Sequence, residues 1–139
     1  MTRKKKEIVI NKRIFTVYDP IFEQKIKVFA NCEYKSLVRF FIKNNIPKEE
    51  AEERHLFDNF TTSIFNDDNN YRCYIIFIKH FEWTLDDMNT LIHETTHTII
   101  NIWDNNNIKV TKETQEFFAH TIGNLFEDIS RKLLSIKEK

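Results

Sequence analysis

Glycine occurs once in this chain of 139 residues and proline only twice. With so few of the usual turn formers, turns must be built mostly from Asn and Asp, whose short polar side chains tolerate the left-handed conformation. Cysteine also occurs only twice, as Cys32 and Cys73, and not as a C-x-x-C pair. That argues against a disulfide scaffold or thiolate zinc site and favours two reduced, buried thiols. No stretch approaches the roughly 18 apolar residues of a membrane span. The N-terminus runs from a basic start directly into a short alternating segment, without the apolar core of a signal peptide. A cytoplasmic protein with no membrane partner is expected. Net charge is zero, from 21 basic and 21 acidic residues, so no global field recruits nucleic acid. The run Arg3-Lys4-Lys5-Lys6 reads as a solvated tail.

What is present suits one folded domain spanning residues 1–139. The apolar fraction is 41%, and 13 phenylalanines supply most of the aromatic content, enough for a proper core at this length. Residues 7–17 are β-branched and read as a strand, with Lys25–Phe29 as its return after Asp19-Pro20. Tyr34, Leu37, Val38, Phe41 and Ile42 recur at helical spacing, and Asn44-Asn45 stops that helix. A more polar helix is expected from Pro47, with Glu49, Glu50, Glu52 and Glu53 as a solvated acidic start. Phe60–Phe65 and Tyr71–Lys79 flank an Asn/Asp tip as a hairpin, and the near-continuous apolar run of its second arm belongs deep in a sheet. Thr84 caps a helix over about 85–103, with Asp86 and Asp87 in its first turn. Thr111 caps a last helix over about 112–136. The fold class that follows is α+β, with a small antiparallel or mixed sheet packed against the last two helices.

His93-Glu94-Thr95-Thr96-His97 lies inside the first of those two helices. Residues four apart sit one above the other, so both imidazoles can converge on one metal ion while Glu94 lies beside it. This HExxH pattern is the arrangement in which two His hold zinc and the Glu acts as general base. Shuffling this composition would produce it in roughly one or two trials per hundred, so the five letters alone are only moderately specific. The helical wheel groups Leu85, Met88, Ile92, Ile99 and Trp103 as the core face. It puts His93 and His97 on a polar shoulder with Asp86, Thr90, Asn101 and Asp104. Catalytic zinc needs a third protein ligand. If the loop turns the chain back, Glu116 comes level with the His pair, a turn into the following helix; Glu113 and Asp104 are weaker choices. Phe118, Ile122, Leu125, Phe126, Ile129 and Leu133 form that helix's core face. Ala119 and Gly123 lie beside Glu116, where close approach of a neighbouring helix would account for the glycine.

The segment Thr90–Ile99 fits the extended zincin pattern, with Thr three residues before the first His, uncharged residues between and after the two His, and an apolar residue two past the second. Glu116-Phe117-Phe118-Ala119-His120-Thr121-Ile122-Gly123-Asn124-Leu125 resembles the glutamate helix of small phage- and prophage-encoded zincin-like proteins, an E-x-x-A-x-x-x-G-x-L pattern some twenty residues after HExxH. The resemblance covers roughly residues 71–126. It departs from the metzincin pattern, because Ile100 and Trp103 stand where Gly and a third His are expected. It implies a zincin-like fold and a gluzincin-like metallopeptidase with Zn2+ on His93, His97 and Glu116. Glu94 would be the base, and His120 a catalytic-site contact one turn beyond Glu116. A peptide or protein substrate would pair with one arm of the hairpin. Tyr71, Tyr74, His80 and His120 are open choices for a second electrophile. Two rival readings stand beside this one: a zincin-fold interaction protein that binds zinc without turnover, and a helical binding module in which HExxH is accidental. Substrate and oligomeric state are not legible in these residues.

Overall fold

The computed structural model describes residues 13–47, 49–50, 58–66 and 71–137. Within them the chain runs β1 (Arg13–Tyr18), β2 (Lys25–Ala30), α1 (Tyr34–Lys43), β3 (Asn59–Asn66), β4 (Tyr71–Ile78), α2 (Leu85–Asn105) and α3 (Gln115–Lys137). The basic tail, the first half of the expected N-terminal strand, Glu52, Glu53 and the hairpin tip at 67–70 lie outside the described residues. Glu49 and Glu50 are helical and exposed.

The four strands form one mixed sheet in the order β1-β2-β4-β3. β1 with β2 and β3 with β4 are antiparallel, whereas β2 and β4 run parallel. A strand covered on both faces must be apolar on both, and β4 meets that demand, with every residue from Cys73 to Ile78 buried. Its side chains alternate between two cores. Tyr74, Ile76 and Ile78 join Leu91, Ile99, Ile102, Trp103, Leu125, Ile129 and Leu133 from α2 and α3. Cys73, Ile75 and Phe77 join Leu37 and Phe41 from α1, together with Phe29, Cys32 and Ile64. The fold is therefore α+β, with α1 on one face of the sheet and the α2/α3 pair on the other. Both cysteines are buried, and neither is in a disulfide.

Asparagine does take over glycine's work in the turns. Asn31, Asn45 and Asn107 adopt φ of 59°, 62° and 60°, alongside Glu23 and Trp83. Asn45 and Asn107 follow the C-termini of α1 and α2, the position where a left-handed residue ends a helix. At the start of α2, Thr84 Oγ1 accepts from the Asp87 N–H while the Thr84 N–H donates to Asp87 Oδ2, a reciprocal capping box.

Three expectations are corrected. The buried stripe of α2 runs through Leu91, Thr95, Thr98, Ile99, Ile102 and Trp103, whereas Leu85 and Ile92 are exposed. The threonines rotate it: both are fully buried, and Thr98 satisfies its hydroxyl by donating to the Glu94 carbonyl at 2.9 Å. The last helix begins at Gln115, because the Thr111 and Thr114 side chains bond within a tight turn before it. Gly123 is exposed, and a Cβ placed there would meet nothing within 4 Å, so no neighbouring helix approaches it.

Candidate metal centre

His93 and His97 project from the exposed side of α2 with ring centroids 4.6 Å apart and an interplanar angle of 78°. Their Nε2 atoms face each other at 3.2 Å. Two nitrogens bound to a tetrahedral zinc at about 2.0–2.1 Å stand ~3.3–3.4 Å apart. The pair therefore already has a separation that suits a shared tetrahedral ion, on the polar shoulder where the wheel placed it.

Glu94 points away from solvent, with 6% of its surface exposed. Its carboxylate is not stranded: Thr61 Oγ1 donates to Glu94 Oε1 at 2.6 Å and lies 3.0 Å from the Glu94 carbonyl oxygen. Thr61 belongs to β3, which pairs only with β4 among the described strands and so forms an edge of the sheet. An open hollow of about 280 Å³ lies between this edge and α2, lined by Asn59, Phe60, Thr61, His93, Glu94, His97 and Asn101. Of the two hairpin arms, β3 is the one that forms an edge of the sheet. Thr61 was missed in the sequence, because nothing local marks a threonine whose partner lies 33 residues away.

The remaining candidates fall elsewhere. Glu116 is the second residue of α3, not a turn into it, and its side chain is 87% exposed. His120 sits one turn on, its Nε2 3.9 Å from Glu116 Oε2. Neither lines the hollow beside the His pair. Among the described residues no group of three or more His, Cys, Asp or Glu is gathered closely enough to hold a metal ion. Glu113 and Asp104 are exposed, as is His80 just beyond β4. Tyr74 is wholly buried, and its hydroxyl accepts from Asn105 Nδ2 at 2.7 Å, so it serves the core. Tyr71 lies at the start of β4 under the Lys25 ammonium. Burial holds its phenol well above the usual range, with Cys73 adding to the shift.

In chemical terms the arrangement offers two converging nitrogen donors, a sequestered carboxylate beside them and, along one wall, a strand edge that no other described strand pairs with. No described helix is long and apolar enough to cross a membrane. No family model, curated protein or solved structure matches the chain.

Proposed function

We propose that this protein is a zincin-like, zinc-dependent hydrolase of peptide bonds, phage- or prophage-encoded and acting in the host cytoplasm. The observation that carries the reading is the 3.2 Å separation of the His93 and His97 Nε2 atoms, with Glu94 held in the same hollow. Two imidazole nitrogens suit zinc, which needs a third protein ligand; Glu116, outside the hollow, is proposed for it because its exposed carboxylate engages only His120, at 3.9 Å, among the described residues. Zinc held there would supply a Lewis acid and an acidified water.

The chain's own groups then divide the work. Glu94 accepts a proton from the attacking water as the C–O bond forms, and returns it to the amine nitrogen as the C–N bond breaks. The edge of β3 receives an extended substrate by strand addition. The Lys79 N–H donates to the Asp58 carbonyl, and antiparallel pairing alternates inward and outward groups. The main-chain N–H and C=O of Asn59, Thr61 and Ser63 therefore point away from β4, toward a docking chain.

A second reading has one observation in its favour. Glu116 is not gathered with the His pair in the hollow, so the three-ligand set of a working zinc hydrolase is incomplete there, which suits a zincin-fold interaction protein without turnover. Elemental analysis and a fluorescent-casein assay on the purified protein and Glu94→Gln separate the two. One zinc per chain with casein cleavage abolished in Glu94→Gln supports the hydrolase. Zinc without cleavage supports the interaction protein, and absence of metal from the parent rejects both.

A further inference from the structure

The bond between β3 and Glu94 joins two parts of the proposed machinery that sequence places far apart. The three polar groups of Thr61 divide between two roles. Its hydroxyl donates to Glu94 Oε1 at 2.6 Å. Its main-chain N–H and C=O lie on the side of β3 that β4 does not use, as the Asp58–Lys79 pairing requires. The side chain thus fixes the carboxylate while the backbone forms part of the edge.

We infer that Thr61 is the positioning residue for Glu94, holding its carboxylate in the hollow in register with any chain that pairs along the β3 edge; this rests on the metallohydrolase reading above. Three features make the contact specific. The bond, at 2.6 Å, lies at the short end of the O–H···O range. Oε1 is taken by Thr61 and no other described group bonds Oε2, which leaves Oε2 as the oxygen for a water in the hollow. The Glu94 carbonyl also accepts from Thr98 at 2.9 Å, so removing the Thr61 hydroxyl leaves the helix backbone satisfied and frees chiefly the carboxylate. A carboxylate with no such tether would sample several rotamers, and productive proton transfer needs one of them.

The test uses full-length protein loaded with Co2+, whose visible bands report the metal's coordination and the ionisation of its bound water. Parent protein, Thr61→Ser, Thr61→Val and Glu94→Gln are titrated with Co2+ and then with pH. The parent and Thr61→Ser should bind one Co2+ with the same spectrum and pH transition. Thr61→Val should bind Co2+ as tightly, since both imidazoles remain, but move that transition toward its place in Glu94→Gln by about one pH unit, a tenfold change in ionisation. Thr61→Val combined with Glu94→Gln should match Glu94→Gln alone, because the hydroxyl acts only through the carboxylate. Thr61→Ala removes the same donor with a smaller side chain and carries the comparison if Thr61→Val does not fold. A Thr61→Val or Thr61→Ala transition identical to the parent's overturns the inference while leaving the metal reading standing. So does a Thr61→Ser variant that behaves like Thr61→Val. Failure of the parent to bind Co2+ overturns both.

Discussion

The Nε2 atoms of His93 and His97 stand 3.2 Å apart across one turn of α2. A ligand that binds the folded chain and not the unfolded one raises its stability, by about 2.7 kcal/mol at a hundredfold excess over Kd. Zinc should therefore raise the melting temperature of the parent, and His93→Ala or His97→Ala should abolish the increase. Glu116→Ala should weaken it by lowering affinity. Calorimetry with and without zinc reads all three. An unchanged response in Glu116→Ala would remove that residue from the ligand set.

Glu94→Gln should retain zinc and lose hydrolysis. The amide keeps the size of the side chain and still offers an oxygen to the Thr61 hydroxyl, so the melting temperature should change little. General acid–base groups typically contribute about 10²–10⁴-fold to rate, and casein cleavage should fall by at least that range. Cleavage at the parent's rate would show that another group takes the proton.

Much of the fold was legible because local chemistry dictated it. The Thr84 cap is a side chain bonding to a backbone three residues away, and the burial of β4 follows from its unbroken apolar run. The His pair was legible for the same reason, since helical spacing alone brings residues four apart together. Features that depend on distant or small polar groups were not. Thr95 and Thr98 look polar by letter and lie in the core, which displaced the expected face of α2. Thr111 reads as the cap, and only its bonding with Thr114 shows that the helix starts after the second. That later start places Glu116 in the first turn of α3. The contact of Thr61 with Glu94 depends on tertiary packing, which no periodicity encodes.

Tyr74 and Asn105 test how the interior face of α2 is pinned to the sheet. The Tyr74 hydroxyl is buried and accepts from Asn105 Nδ2 at 2.7 Å. Tyr74→Phe removes the acceptor and leaves Asn105 near solvent, so it should cost about 1 kcal/mol, the net worth of a hydrogen bond. Asn105→Ala instead strands a buried hydroxyl and should cost more, ~1–3 kcal/mol. Urea denaturation of the two variants checks the order. The reverse order would mean that the hydroxyl finds another partner once Asn105 is gone.

Cys73 should contribute to a loss of stability at alkaline pH. Burial raises its thiol pKa above the ordinary value of 9.0, although Tyr71, Lys25 and Lys27 pull the other way. Tyr71 is raised as well, first by its own burial. A raised folded-state pKa means that the unfolded chain loses its proton first as pH increases. The associated stability is present below about pH 9, the ordinary thiol value, and is lost as pH rises through the folded-state pKa. Urea midpoints should therefore be flat in this respect below that value and fall above it. Cys73→Ala and Tyr71→Phe should each flatten part of the alkaline fall, even where they lower the midpoint itself. Iodoacetamide should label Cys73 in the native protein at pH 8 far more slowly than in urea, because the thiolate is the reactive form. Equal labelling rates in both conditions would show that the thiol is neither buried nor shifted.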